Sequence, residues 1–186
     1  MTRPPTATAS TPPPVTITVP PSSEPSATAS QAPTSQVPVP TLTWPDAEAG
    51  SCPYITNEEA GKFNGQGLGQ TYIRPLTPHP VCDFFRSDGG WSASVAVVVT
   101  DSDAEAVAVV NAAAPIDDSD PAELNGGWTG GSWVKEEGAD PEIFQPEELA
   151  VYAVSKGPIA VIATSNEPLT KKARNFVFAA ITALEL

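Results

Sequence analysis

Apolar and polar residues alternate from Trp91 through Ala93, Val95, Val97 and Val99, and this period of two predicts a strand over residues 91–100. Ser92 and Ser94 take the other face, where the pattern turns apolar at Ala96 and Val98. Such a strand is covered on one face and in part on the second. Two shorter strands are expected before it, around Tyr72-Ile73-Arg74 and over Val81 to Arg86, with Ser87-Asp88-Gly89-Gly90 supplying the turn of a hairpin. Toward the end of the chain, Leu149 to Ser155 and Pro158 to Thr164 flank Lys156-Gly157 as a second hairpin.

Two helices complete the pattern. Ser102-x-x-Glu105 reads as a capping box before an alanine-rich run, Ala104 to Ala114, that Pro115 ends. The last helix has Asn166 as its cap, Pro168 in its first turn and a stripe of Leu169, Ala173, Phe176, Ala180 and Leu184 at 3.6-residue spacing. Ser51 to Lys62 shows neither period and is expected to be an irregular entry segment. The stretch from Pro115 to Pro146 is too long for a structureless loop and should hide a strand or a functional excursion. Hairpins dominate this order. The expected fold is therefore α+β, a mostly antiparallel sheet of about five to six strands with two helices on one face.

Composition divides the chain in two. Residues 1–45 hold 12 of the 22 prolines, and Pro, Thr, Ser and Ala fill 33 of those 45 positions. Proline fixes φ and removes a backbone donor, and too few large apolar side chains are present to offset the entropy of ordering. This segment is expected to be a disordered, extended stalk, and residues 46–186 a single α+β domain. Tracts of this kind act as spacers or carry O-linked sugars, and spacing alone is the simpler reading. Met1-Thr2-Arg3-Pro4 has no apolar run of an export signal, so an upstream signal, with or without a lipid-anchored cysteine, is expected to precede the chain.

Charge narrows the function classes. With 22 acidic and 9 basic side chains, the net charge is −13, and a Lys/Arg face for phosphate neutralisation cannot be assembled. That argues against a nucleic-acid partner. No run of about 18 apolar residues is present to form a transmembrane segment.

Cys52 and Cys82 are the two cysteines. A nucleophilic thiol wants a histidine or a positive neighbourhood, whereas Cys82 stands beside Asp83 and Cys52 before Pro53. Zinc needs more ligands than two Cys and His79 offer at these spacings, and no metal or cofactor is expected. The favoured reading is a disulfide that pins the entry segment to the second strand, stabilising by about 3 to 4 kcal/mol in the chain-entropy model and requiring an oxidising compartment. Two buried free thiols, in a cytosolic protein, are the alternative.

Five segments occur in order: Cys52-Pro53-Tyr54, Val81-Cys82-x-Phe84-Phe85-Arg86, Ala113-Ala114-Pro115, Gly127-Trp128-Thr129-Gly130-Gly131 and Tyr152-Ala153-Val154-Ser155-Lys156-Gly157. The set resembles an uncharacterised family of actinobacterial exported proteins, a domain of unknown function found in envelope lipoproteins behind a Pro/Thr/Ser-rich stalk, over residues 52–186. The resemblance implies an envelope location, a pairing of Cys52 with Cys82 and no assigned activity. The lipobox of such lipoproteins is absent from this sequence. The element order is also similar to that of small PsbP-like α+β domains, by analogy alone.

Candidate chemistry is sparse. Trp128 and Trp133, set among Gly126-Gly127 and Gly130-Gly131, suit a surface for a peptide, glycan or partner protein, because glycines admit a close ligand and indoles offer flat platforms. For Trp128 a place in the core, with the glycines serving a bulge, is the preferred reading; for Trp133 both readings stand. Lys171, Lys172 and Arg174 oppose the helix dipole in the first turns of the last helix, which hints at an acidic contact, with a solvated face as the default. Asp117, Asp118 and Asp120, like Asp101, Asp103 and Glu105, do not match the twelve-residue calcium loop. His79 lies in the rigid Pro78-His79-Pro80 and reads as a loop histidine. The expected function is a non-enzymatic extracytoplasmic binding or interaction domain of the cell envelope. The alternative is an envelope hydrolase whose carboxylates converge near Trp128 to Trp133.

Overall fold

The structure is a computed structural model and describes residues 45–134 and 150–186. The expected stalk up to residue 44, and the acidic run from Lys135 to Leu149, lie outside them. The described elements follow the order β1 (Glu48–Ala49), α1 (Asn57–Asn64), β2 (Leu68–Arg74), β3 (Val81–Arg86), β4 (Trp91–Val99), α2 (Asp103–Ala113), β5 (Asp120–Leu124), β6 (Trp128–Val134), β7 (Ala150–Lys156), β8 (Ile159–Ser165) and α3 (Thr170–Ala183). The fold is α+β. Its sheet holds eight strands in the order β1-β2-β3-β4-β8-β7-β6-β5, each neighbouring pair antiparallel.

This corrects the sequence expectation in three respects. The sheet is wider than five to six strands because the two-residue β1 joins its edge and because Pro115 to Pro146 contains a whole hairpin, β5–β6, turning at Asn125-Gly126-Gly127 with both glycines at positive φ. Among the described residues there are three helices rather than two, since α1 begins within the entry segment. The helices also do not share a face. Residues alternate sides along a strand, so Tyr152, Val154, Val161 and Ala163 face one way and Val151, Ala153, Ala160 and Ile162 the other. Helix α3 covers the first set, with α1 beside it on β2, and α2 covers the second through Ala106, Val109, Val110 and Ala113. Both faces of β7 and β8 are buried.

Helix α1 announces itself by a capping box that the periodicity does not register. Thr56 Oγ1 accepts from the Glu59 N–H at 3.2 Å, and Glu59 Oε2 accepts from the Thr56 N–H at 2.9 Å. Gly65 closes the helix at φ 71°, a conformation open to glycine. At α2 the Ser102 cap is present, but Glu105 receives the Asp101 N–H instead of that of Ser102. At α3 the expected cap is absent: Leu169 holds that position without a side-chain bond, Pro168 precedes the helix, and Leu169 is exposed.

Asn166 is instead drawn into a buried polar node. Asn64, fully buried, donates to Asn166 Oδ1 at 2.8 Å and to Ser92 Oγ at 2.7 Å, and accepts from Ser165 Oγ at 2.9 Å. The node ties α1, β4, β8 and the entry to α3 together with satisfied bonds, the condition under which a buried amide fixes one arrangement. Beside it, Phe176 of α3 packs between Phe63 and Phe84, with ring centroids 5.4 and 5.6 Å away.

Cys52 and Cys82 form a disulfide, their α-carbons 5.6 Å apart. It clamps the segment before α1 to β3, and Tyr54 continues the clamp by donating its hydroxyl to the Pro80 carbonyl at 2.7 Å, with that of Val95 at 3.2 Å. Replacing both cysteines, Cys52→Ser with Cys82→Ala, is expected to cost about 2 to 4 kcal/mol in urea unfolding; a loss below about 0.5 kcal/mol would show that the clamp is redundant. Burial, reinforced by the charge of Asp83, holds the Tyr54 hydroxyl above its ordinary tyrosine value. An acid whose folded pKa is raised stabilises fully below its unfolded pKa of about 10 and loses that contribution as pH climbs through the folded value. The domain should therefore weaken above about pH 10, and Tyr54→Phe should lessen the fall between pH 8 and 11 in denaturant titrations, whatever it costs at neutral pH.

Candidate functional site

Helix α2 packs on β6, β7 and β8. The same face of β2 and β3 has no helix over it among the described residues. Here a cavity of about 480 Å³ opens, lined by Gln70, Tyr72 and Arg74 of β2 and by Asp83, Phe85 and Arg86 of β3, with the Ser87–Gly89 turn at one end. The strand pattern builds it: Tyr72 and Arg74 are two apart, as are Asp83 and Phe85, and Tyr72 stands opposite Asp83 in the ladder.

Tyr72 and Phe85 form the apolar part, with ring centroids 5.2 Å apart and planes inclined by 70°, an edge-to-face pair. Both are half-buried, so each keeps surface toward the cavity. A second device lies beside them. Asp83, its side chain only 4% exposed, accepts from Arg74 Nε at 2.6 Å and from Ser94 Oγ at 2.5 Å, so both carboxylate oxygens are engaged. Ser94 in turn accepts from Trp91 Nε1 at 3.0 Å. A buried carboxylate persists when paired and hydrogen-bonded in this way. At the other end Arg86 Nε donates to Asp88 at 3.0 Å.

Trp91 reaches this network by a register shift. Phe84 opposes Ala93 but Phe85 opposes Trp91, so a one-residue bulge separates Trp91 from the Ala93, Val95 and Val97 face that the alternation predicts. The sequence pattern could not show this. Nor did it single out Tyr72, Arg74, Asp83 or Phe85, although the paired i, i+2 spacing on neighbouring strands was the available signal.

The residues that the sequence did single out lie elsewhere, and the structure does not gather them. Trp128 is buried in the core beside Leu124, with Lys156 Nζ 5.5 Å from its ring centre. Trp133 packs against the α2 cluster on the opposite face, and its Nε1 donates to the Ala113 carbonyl at 2.8 Å. The two indoles therefore share no platform. A side chain at Gly130 would collide with the backbone of Ala153 and Val154, and one at Gly131 with Ala114 and Ser119, so both glycines permit close packing inside the fold. Lys172 donates to the Asn64 carbonyl at the end of α1 at 2.6 Å and pairs with Glu167 at 3.4 Å. That contact accounts for a cation in the first turn of α3. Arg174 approaches the Tyr152 hydroxyl, whose pKa burial nonetheless raises, while Lys171 is exposed. Asp120 and Glu123 sit at opposite-face positions of β5 and so do not converge, Asp117 and Asp118 are exposed in the turn before it, and the acidic residues from Glu136 to Glu148 lie outside the described residues. His79 lies in its loop with its ring 6.4 Å from Tyr54. Among the described residues no cluster of His, Cys, Asp and Glu could hold a metal ion, and no helix is long and apolar enough to cross a membrane.

The Arg74–Asp83 pair should be what shapes the cavity wall. Asp83→Ala leaves a half-buried guanidinium without its carboxylate and is expected to cost about 3 to 5 kcal/mol in urea unfolding. The double variant Asp83→Ala with Arg74→Met should recover a large part of that loss; equal losses in both would show that the pairing is not what holds this wall.

No curated protein shows significant similarity to this sequence. Residues 37–186 match the family model of a domain of unknown function, DUF2020, and the chain belongs to that family.

Proposed function

We propose that this chain is a non-enzymatic binding domain working outside the cytoplasmic membrane, in the cell envelope, with residues 1–45 as its stalk. Its ligand site is the groove against β2 and β3. The observation that carries this reading is the groove itself: a cavity of about 480 Å³ in which an aromatic pair adjoins a satisfied, buried ion pair. Sites for small ligands have this size and this mixture of apolar wall and few, firmly placed polar groups. The disulfide supports the location, since such bonds persist in oxidising compartments. An upstream export signal and a lipid anchor, as in actinobacterial envelope lipoproteins, fit the same picture.

A binding role accords better than hydrolysis with the state of Asp83. A catalytic carboxylate must reach the proton it moves, whereas Asp83 is buried, its side chain 4% exposed, with Arg74 on one oxygen and Ser94 on the other. The wall they make is held in place by its own bonds, so binding has little ordering cost to meet there.

The test uses the isotope-labelled full chain with fractionated envelope extract, read by amide chemical shifts. Shifts confined to residues 69–74 and 83–89, and lost in Phe85→Ala, are the expected result. Shifts that ignore the groove and cluster elsewhere, or no shift with any fraction, would overturn the assignment of this site.

A further inference from the structure

The groove's charge is the unexpected part of its chemistry. In a chain of net charge −13, two arginines line one cavity, yet each has its own carboxylate: Arg74 with Asp83 at 2.6 Å and Arg86 with Asp88 at 3.0 Å. An anion would meet cations already compensated. A cation would meet Asp83, whose side chain is 4% exposed and whose oxygens both accept bonds from within the protein. With Asp88 counted beside the lining, carboxylates match guanidinium groups in number, and the polar side chains of Gln70, Tyr72, Arg74 and Ser87 remain around the cavity.

The apolar part has a shape as well as an area. Two rings inclined by 70° at 5.2 Å, both lining the cavity, meet in a corner rather than a flat stack. A ligand that fits a neutral corner of this kind has an apolar face to lay on an aromatic ring and hydroxyl groups around its rim to meet planar amide and guanidinium groups. A pyranose or furanose ring has both: C–H groups on its face and, at its edge, hydroxyls that each donate and accept. A peptide added as a further strand is a poorer match. Strand addition uses a sheet edge, and at Tyr72 and Ile73 that edge of β2 is already taken by β1. The groove opens from the face.

From this we infer that the groove binds a neutral saccharide, with a sugar ring against Tyr72 and Phe85 and its hydroxyls bonded to Gln70 and Arg74. The inference rests on the groove being the ligand site, and it names the ligand class.

The experiment titrates the isotope-labelled full chain separately with maltotriose, mannotriose, arabinotriose, an acidic trigalacturonate and a neutral alanine–threonine hexapeptide. At least one neutral trisaccharide is expected to move the amide signals of residues 69–74 and 83–89 with a millimolar or tighter dissociation constant. Tyr72→Ala should weaken that binding about tenfold, a loss typical of one stacking partner. Gln70→Ala, at an exposed position that leaves the core untouched, should weaken it several-fold, so the result does not hang on the folding of the Tyr72 variant. If only trigalacturonate or the hexapeptide moves the groove signals, the saccharide assignment is overturned while the groove stands as the site. Silence of the groove toward all three neutral sugars at tens of millimolar overturns the saccharide assignment too, and the envelope-extract titration then decides the groove separately. Binding that survives both variants unchanged would also overturn it.

Discussion

Burial of β7 and β8 on both faces is the constraint on which the rest of the molecule depends. Their alternating residues are apolar in both phases, Tyr152 and Val154 against Val151 and Ala153, so neither face of this hairpin can be left to water. Helices must therefore stand on both sides. Placing β8 between β4 and β7 sets α3 and α1 under one side, and the α2 crossover carries the chain to the far edge of the sheet. Once α2 is committed to β6, β7 and β8, it cannot also reach β2 and β3. The groove follows from this division: eight strands have more surface than three helices cover.

What lines the uncovered part differs in kind from the core. On the side of α1 and α3, large apolar groups and a satisfied amide at Asn64 exclude water. On the groove side a series of polar side chains bond one another: Trp91 bonds Ser94, Ser94 bonds Asp83 and Asp83 bonds Arg74. A chain of such bonds is stiff because moving one member strands the next in a low-dielectric setting. The aromatic pair rests on that stiff base, so its corner is formed before anything arrives, and little ordering entropy is left for binding to supply.

Much of the architecture is legible in the residues. The strands over 81–86 and 91–99, the helix over 103–113 and the last hairpin all emerge from period and caps, and the disulfide from the chemistry of two cysteines with no competing role. The failures have separate causes. Helix α1 is short and has only Ala60 and Phe63 as apolar positions, too few to display a period, so Thr56, Glu59 and Gly65 were its signal, and those are cap residues. The β5–β6 hairpin was hidden by Pro121, which reads as a breaker, although an edge strand such as β5 tolerates it. Which face α2 covers is a matter of topology, invisible to local pattern. The site escaped for the same reason: Tyr72 and Phe85 are thirteen residues apart and meet only because of a ladder register, and Trp91 joins them only through a bulge. Conversely, Trp128 and Trp133 stand out in the sequence for the glycines around them, yet they are five residues apart, an odd separation that sends them to opposite faces of one strand.

The sulfur link also has a mechanical meaning. A pull on the amino end would first strip the two-residue β1 from the margin of the sheet and would then arrive at Cys52. There the covalent bond diverts the load past α1 and β2 directly into β3, a strand flanked on both sides. Unzipping from the rim would give way to shearing of an interior strand, in which many ladder bonds must fail together. A domain hung by that end is thus reinforced along the path that tension would take.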